Sequence, residues 1–236
     1  MKINILIFIV LVIVTVNFSC TQKKQFATEI TVLYDITDKQ SSQPTTNEIL
    51  SLYDLENKWN GAMFRFTKLT DVSYNQEKEA NLETKNEWLS NELERDKEIK
   101  NFKNEVLEII GSSIKEETRK SNSSLYIPIA NELNKLSQNK SDKRVLVIYS
   151  DLMENTPDLS FYRKRDFELL KINPEQVQKQ LEKLAVLNSL SGIEVYFIYQ
   201  PSDTKSDQIF QTISQFYKKL LEDRGAKVTI SANLNI

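Results

Sequence analysis

Two apolar runs far apart in the chain end in the same way. Glu29-Ile-Thr-Val-Leu-Tyr-Asp35 leads into Ile36-Thr37-Asp38-Lys39, and Arg144-Val-Leu-Val-Ile-Tyr-Ser150 leads into Asp151. Each run is short, rich in β-branched residues and closed by polar ones, the pattern of a strand buried on both faces. Such a strand needs cover on both sides, which a chain of alternating strands and helices supplies. In an open α/β sheet, ligands sit beyond the carboxyl ends of the strands, where the strand order reverses. Placed side by side, these two strands would bring Asp35, Asp151 and several hydroxyls to one spot.

The rest of the chain fits that alternation. Ala62 to Leu69 and Ile193 to Tyr199 read as further strands, and Lys227 to Ser231 as a last one. Thr45-Thr-Asn-Glu48 has capping-box spacing and predicts a helix through Leu50, Tyr53 and Trp59. Helices are also predicted over Ile129 to Leu136, from Asn173-Pro174 through Leu187, and after Asp203, with Gly225 as a carboxyl-terminal cap. The segment 75–117 is charged and reads as helical, with Ile99, Phe102, Val106, Ile109 and Ile110 on one face and an Asp96–Lys100 pair on the exposed side. It is either a helix packed on the sheet or an arm that binds a partner. The expected fold is a three-layer α/β/α domain around a mainly parallel sheet, with 75–117 as an atypical helical segment.

Absent residue types narrow the chemistry. The chain has no histidine and a single cysteine, Cys20. That excludes Ser-His-Asp and Cys-His catalysis, histidine-ligated zinc, a disulfide framework and a dithiol redox pair. With 31 basic and 33 acidic residues the net charge is -2, which does not predict a nucleic-acid surface.

The amino terminus reads as an address. Lys2 precedes the apolar run Ile5 to Val14, and Val16-Asn17-Phe18-Ser19 leads to Cys20. A basic start, a short apolar core and a small residue before the break are the anatomy of a secretory signal. The run is short of the roughly 20 residues of a comfortable membrane span. Val16 to Cys20 resembles a bacterial lipoprotein processing site of the looser, Bacteroidota type. That resemblance implies a signal peptide over 1–19, acylation (palmitate) on Cys20, a tether over 20–28 and a periplasm-facing position in the bacterial cell envelope. The alternatives are an uncleaved anchor and an ordinary signal peptide with an incidental cysteine. Thr21-Gln-Lys-Lys24 lacks the acidic pair of known surface-export tags of that phylum.

From residue 29 onward the order of elements, with Asp35-x-Thr37-x-Lys39, a serine-rich loop at Ser121 to Ser124 and Ser150-Asp151, resembles the von Willebrand factor A-like domain. The resemblance covers 29 to about 231, and the domain is taken as 29–236. It implies a metal-ion-dependent adhesion site holding Mg²⁺ or Mn²⁺ through Asp35, Thr37, Ser123 and Asp151, with Lys39, Ser124 and Ser150 on the binding rim. Such cations take oxygen donors, so the residue types suit. Lys39 stands where that family has a second serine, and an ammonium only donates. It either swings out, leaving Ser41 or a water to substitute, or neutralises Asp35 or Asp151 and makes the metal unnecessary. Asp38 and Glu154 are neighbouring carboxylates without an assigned role, and Tyr199-Gln-Pro-Ser202 lines the same rim or makes a simple turn. The implied function is non-enzymatic binding of a protein partner by a tethered domain. A metal-free scaffold of an envelope assembly, with 75–117 as its contact surface, is the alternative. An aspartate-nucleophile phosphoryl-transfer enzyme ranks lower, because Thr37 stands where that chemistry wants an acid.

Overall fold

The computed structural model describes residues 25–36, 42–69, 76–115 and 124–234. One six-stranded sheet runs through it, in the order β3-β2-β1-β4-β5-β6. The strands are β1 (Ala27–Asp35), β2 (Gly61–Leu69), β3 (Gln76–Leu82), β4 (Lys143–Tyr149), β5 (Ile193–Ile198) and β6 (Lys227–Ser231). β3 pairs antiparallel with β2, and every other pairing is parallel. This is the doubly wound order, with its reversal between β1 and β4.

Alternation along the strands builds two apolar layers. Ile30, Val32, Phe64, Phe66, Val145 and Val147 pack with α1 (Thr46–Leu50) and α2 (Glu92–Lys115) through Ile49, Phe102 and Val106. On the opposite face Leu33, Leu146, Ile148, Val195 and Phe197 pack with α3 (Tyr126–Gln138), α4 (Lys164–Ile172), α5 (Pro174–Leu184) and α6 (Thr204–Glu222). The three-layer α/β/α arrangement follows from those two layers. Among the described residues, no helix is long and apolar enough to cross a membrane.

Several local signals act as their chemistry requires. The Asn173 side chain accepts from the Gln176 N–H at 3.2 Å, and Asp203 accepts from the Ser206 N–H at 2.9 Å. Gly225 adopts a φ of 98° after α6, a conformation that costs glycine least. Thr45 caps α1 by accepting from the Glu48 N–H at 3.3 Å, but the helix ends at Leu50 and turns carry the chain to β2. The expected helix through Trp59 is therefore short.

The segment 75–117 is only partly helical. Gln76-Glu-Lys-Glu-Ala-Asn-Leu82 is the edge strand β3, with Ala80 and Leu82 buried in the core and Lys78, on the same face, donating to the Ser112 hydroxyl of α2 at 3.1 Å. Its composition has no β-branched residue because an edge strand packs on one side and resists further pairing with charge. A short 3-10 turn, Glu87–Leu89, precedes α2. Ile99, Phe102, Val106 and Ile110 are buried as the periodicity requires, and Ile109 is partly buried. Asp96 pairs with Lys58 at 2.8 Å, across to the loop before β2, not with Lys100.

Two buried charge clusters escape the apolar pattern. Arg65 on β2 sits 3.2 Å from Glu29 on β1 and 3.4 Å from Glu132 on α3. Burial pushes the Glu29 carboxyl up, against the pull of Arg65. Arg95, fully buried in the first turns of α2, donates to the backbone carbonyls of Lys58 and Asn60 and to Glu98. It fastens α2 to the chain entering β2. Arg95→Ala would leave two carbonyls unpaired and is expected to lower stability by about 3 kcal/mol in urea denaturation, against no more than about 0.5 kcal/mol for the exposed Lys97→Ala.

Candidate functional site at the carboxyl ends of the central strands

β1 and β4 are neighbours in register, Tyr34 opposite Tyr149. Their polar ends therefore emerge together. Asp35, the last residue of β1, is buried, and its Oδ2 accepts from the Ser150 hydroxyl at 2.9 Å. The same Ser150 Oγ accepts from the Leu152 N–H at 2.9 Å, and Asp151 Oδ1 accepts from the Met153 N–H at 2.9 Å. These bonds wind the chain into a tight turn just past β4.

The turn is strained. Leu152 has φ of +62° and is fully buried. A left-handed conformation costs a non-glycine residue roughly 1–2 kcal/mol, so the surrounding bonds and packing hold it there. Its consequence is the placement of Glu154. That carboxylate is fully buried, and its Oε2 accepts from the N–H groups of Leu125 and Tyr126, each at 2.9 Å. Leu125 provides no side-chain cap for α3, so the cap arrives from a loop beyond β4. A carboxylate at a helix amino terminus satisfies orphan donors and meets the positive end of the helix dipole.

Glu154 is nonetheless held far from its ordinary range. Burial pushes it from 4.5 up to about 7, and the charge of Asp35 pushes the same way. The N–H groups of Tyr126 and Leu125 and the Ser124 hydroxyl pull it back. The Ser124 hydroxyl lies near the carboxyl without reaching hydrogen-bond geometry, and both it and Glu154 Oε1 are buried without a hydrogen-bond partner. The Tyr217 hydroxyl on α6, whose ionisation burial opposes first and the Glu154 charge second, is likewise buried and unpartnered. Buried polar atoms left this way are uncommon and mark a place for a proton, a water or a ligand.

Beside Asp151 a groove of about 330 Å³ opens, lined among others by Tyr162, Tyr199, Asp203 and Lys205. Tyr199 thus belongs to the rim, where its ring packs against Phe210 at 4.9 Å between centroids.

The structure brings Asp35, Ser124, Ser150 and Asp151 to one end of the sheet. Thr37, Lys39, Ser123 and Cys20 lie outside the described residues, as do Asp38 and Ser41. Among the described residues, no group of three or more acidic or cysteine side chains is arranged to hold a metal ion. The donors that converge are carboxylate and hydroxyl oxygens, the type that a hard divalent cation takes. Glu154 is the functional-site residue whose role sequence reasoning missed. Its signal is a helix that starts at Tyr126 without a local cap.

No family model matches the chain, and no curated protein matches it. Among solved structures, a mutant of the PilB minor pilin from Streptococcus sanguinis is similar at 10 % identity and a TM-score of 0.48. The match covers 92 % of this chain and 59 % of that one, so the chain spans less than two thirds of that structure.

The position of Glu154 sets a pH dependence. Its folded value of about 7 lies above the ordinary 4.5, so folding favours the protonated acid. That stabilisation is complete below about pH 4.5 and is lost as pH rises through about 7. Glu154→Gln keeps an oxygen for the Leu125 and Tyr126 N–H groups and removes the titration. Relative to wild type, the variant is expected to gain about 3 kcal/mol between pH 4.5 and 8 in denaturant titrations. A difference that does not change with pH would contradict this placement of the carboxyl.

Proposed function

We propose that this chain is a membrane-tethered binding module with a von Willebrand factor A-like fold, which presents the carboxyl end of its sheet to a protein partner and does no chemistry on it. One observation carries the reading. Asp35 and Ser150-Asp151 close the two central strands of a β3-β2-β1-β4-β5-β6 sheet and meet at the point of order reversal. That is where ligands of open α/β sheets bind. The strained turn at Leu152 and the unpartnered oxygens of Ser124 and Glu154 support it, because such features concentrate at functional sites.

Mg²⁺ or Mn²⁺ belongs to the proposal. Asp35 and Asp151, with Thr37 and Ser123 from the neighbouring loops, would hold the ion, and Ser124 and Ser150 would stand on its rim. A cation bound there would supply an open coordination position to a carboxylate of the partner. Lys39 bears on the cation, since an ammonium turned toward Asp35 or Asp151 would neutralise them and make the ion unnecessary, and one turned away would leave Ser41 or a water to substitute. The partner's footprint extends over Tyr162, Tyr199 and Lys205 in the adjoining groove.

Cys20 supplies the tether, and with it a place in the bacterial cell envelope, facing the periplasm. Lipidation on more than one chain holds a protein on a bilayer stably, at about 0.8 kcal/mol per buried methylene.

Two experiments test this reading. In the full chain held in detergent, Mg²⁺ or Mn²⁺ at a hundredfold excess over Kd should raise the Tm by roughly 5–10 °C. Asp35→Ala should abolish the rise, and an unchanged wild-type Tm would remove the cation from the account. In cells, Cys20→Ala should leave the chain unprocessed or release it from the membrane fraction. Unchanged lipid labelling and fractionation would contradict the tether.

A further inference from the structure

The amino end of the sheet carries a surface of a different kind. β1 and β2 begin there and the antiparallel β3 ends there, Ala62 lying opposite Leu82. The chain enters at the same place. Gln25 Nε2 donates to the Lys85 carbonyl at 2.8 Å, and the Lys85 N–H donates to the Trp59 carbonyl at 3.1 Å. The 3-10 turn that follows holds Trp88 and Leu89, 77 % and 87 % exposed, and the first turn of α2 holds Leu93, 74 % exposed. Phe26, beside the entry point, is 38 % exposed.

Single exposed apolar residues are ordinary, but three large ones within six residues on a fixed backbone are not. The backbone is fixed by bonds of its own. Asn86 Oδ1 accepts from the Trp88 N–H at 3.0 Å, and Asn91 Oδ1 accepts from the Leu93 N–H at 2.9 Å. Arg95 locks the turn after them to Lys58 and Asn60. The structure thus holds Trp88, Leu89 and Leu93 outward, largely uncovered among the described residues.

We infer that the Trp88–Leu89–Leu93 surface lies in the headgroup region of the bilayer to which the amino-terminal segment is attached. This rests on the tethered reading of the chain. Only four residues, Thr21 to Lys24, lie between Cys20 and Gln25, and the five steps reach about 18 Å at full extension. Tryptophan suits that depth, with an apolar body and one N–H donor. Glu83, Glu87, Glu92 and Glu94 flank the patch, so attraction to anionic lipid does not drive the contact. Apolar insertion into a zwitterionic surface does. The nine residues of β1 then carry the Asp35 end about 30 Å away from the bilayer, facing outward.

The chain contains two tryptophans, so Trp59→Phe leaves Trp88 as the reporter. The full chain carrying that change is produced in a lipoprotein-processing bacterium and reconstituted into phosphatidylethanolamine–phosphatidylcholine vesicles with brominated acyl chains. The expected result is flotation with the vesicles and a Trp88 emission that is blue-shifted, quenched by the brominated lipid, shielded from iodide and unmoved by high salt. Adding Leu89→Ser and Leu93→Ser should remove most of the lipid quenching while flotation persists. A chain that floats with Trp88 open to iodide and unquenched overturns the surface contact and leaves the tether standing. Shielding from iodide without lipid quenching assigns the surface to a protein and also overturns it. A chain that does not float overturns the tether and the contact together.

Discussion

The hydrogen bond from the Ser150 hydroxyl to Asp35 Oδ2, at 2.9 Å, joins the ends of two strands that are distant in sequence. Much of the candidate site depends on it. A buried carboxylate is costly unless it is hydrogen-bonded or paired. Ser150 meets that need for Asp35, and its oxygen also accepts from Leu152 and so sets the turn in which Leu152 takes a positive φ. The turn aims Glu154 at the amino terminus of α3, which has no cap of its own. A contact between two strand ends thus positions a helix on the face of the sheet. The parallel register of β1 and β4 makes this possible, because it brings both carboxyl ends to the same level.

Legibility in the sequence follows the physics of each element. β1 and β4 are visible because their residues are apolar on both faces, and Asn173 and Asp203 because their caps are local. Asp35, Ser150 and Asp151 are readable for the same reason, as polar residues closing apolar runs. β3 is hidden because, among its described side chains, this edge strand buries just Ala80 and Leu82, and Glu77, Lys78 and Glu79 give it the look of a helical or loop segment. α1 stops early although Thr45 caps it, since a cap starts a helix without fixing its length. Glu154, Arg95 and the Glu29–Arg65–Glu132 cluster are long-range pairings of polar groups, and no periodicity carries them. Trp88, Leu89 and Leu93 could pass in the sequence for core residues of a helical segment, and only their exposure shows otherwise.

Function divides between the two ends of the sheet in this account. The carboxyl end gathers carboxylates, hydroxyls and a groove with Tyr162 and Tyr199, the surface proposed to receive a partner. The amino end receives the chain from the proposed tether and displays apolar side chains on a braced turn. Parallel strands enforce the separation, since four of the five pairings point the same way and send their polar ends in one direction. A domain held by one end presents the other, and the length of the strands sets how far.

The most direct measurement is a double-mutant cycle on Asp35 and Ser150, with Asp35→Asn, Ser150→Ala and the pair compared by denaturant unfolding. A buried hydrogen bond to a charged acceptor predicts a coupling energy of about 1.5–3 kcal/mol. Additive effects, with coupling below about 0.5 kcal/mol, would contradict the joining of the two strand ends on which the candidate site is built.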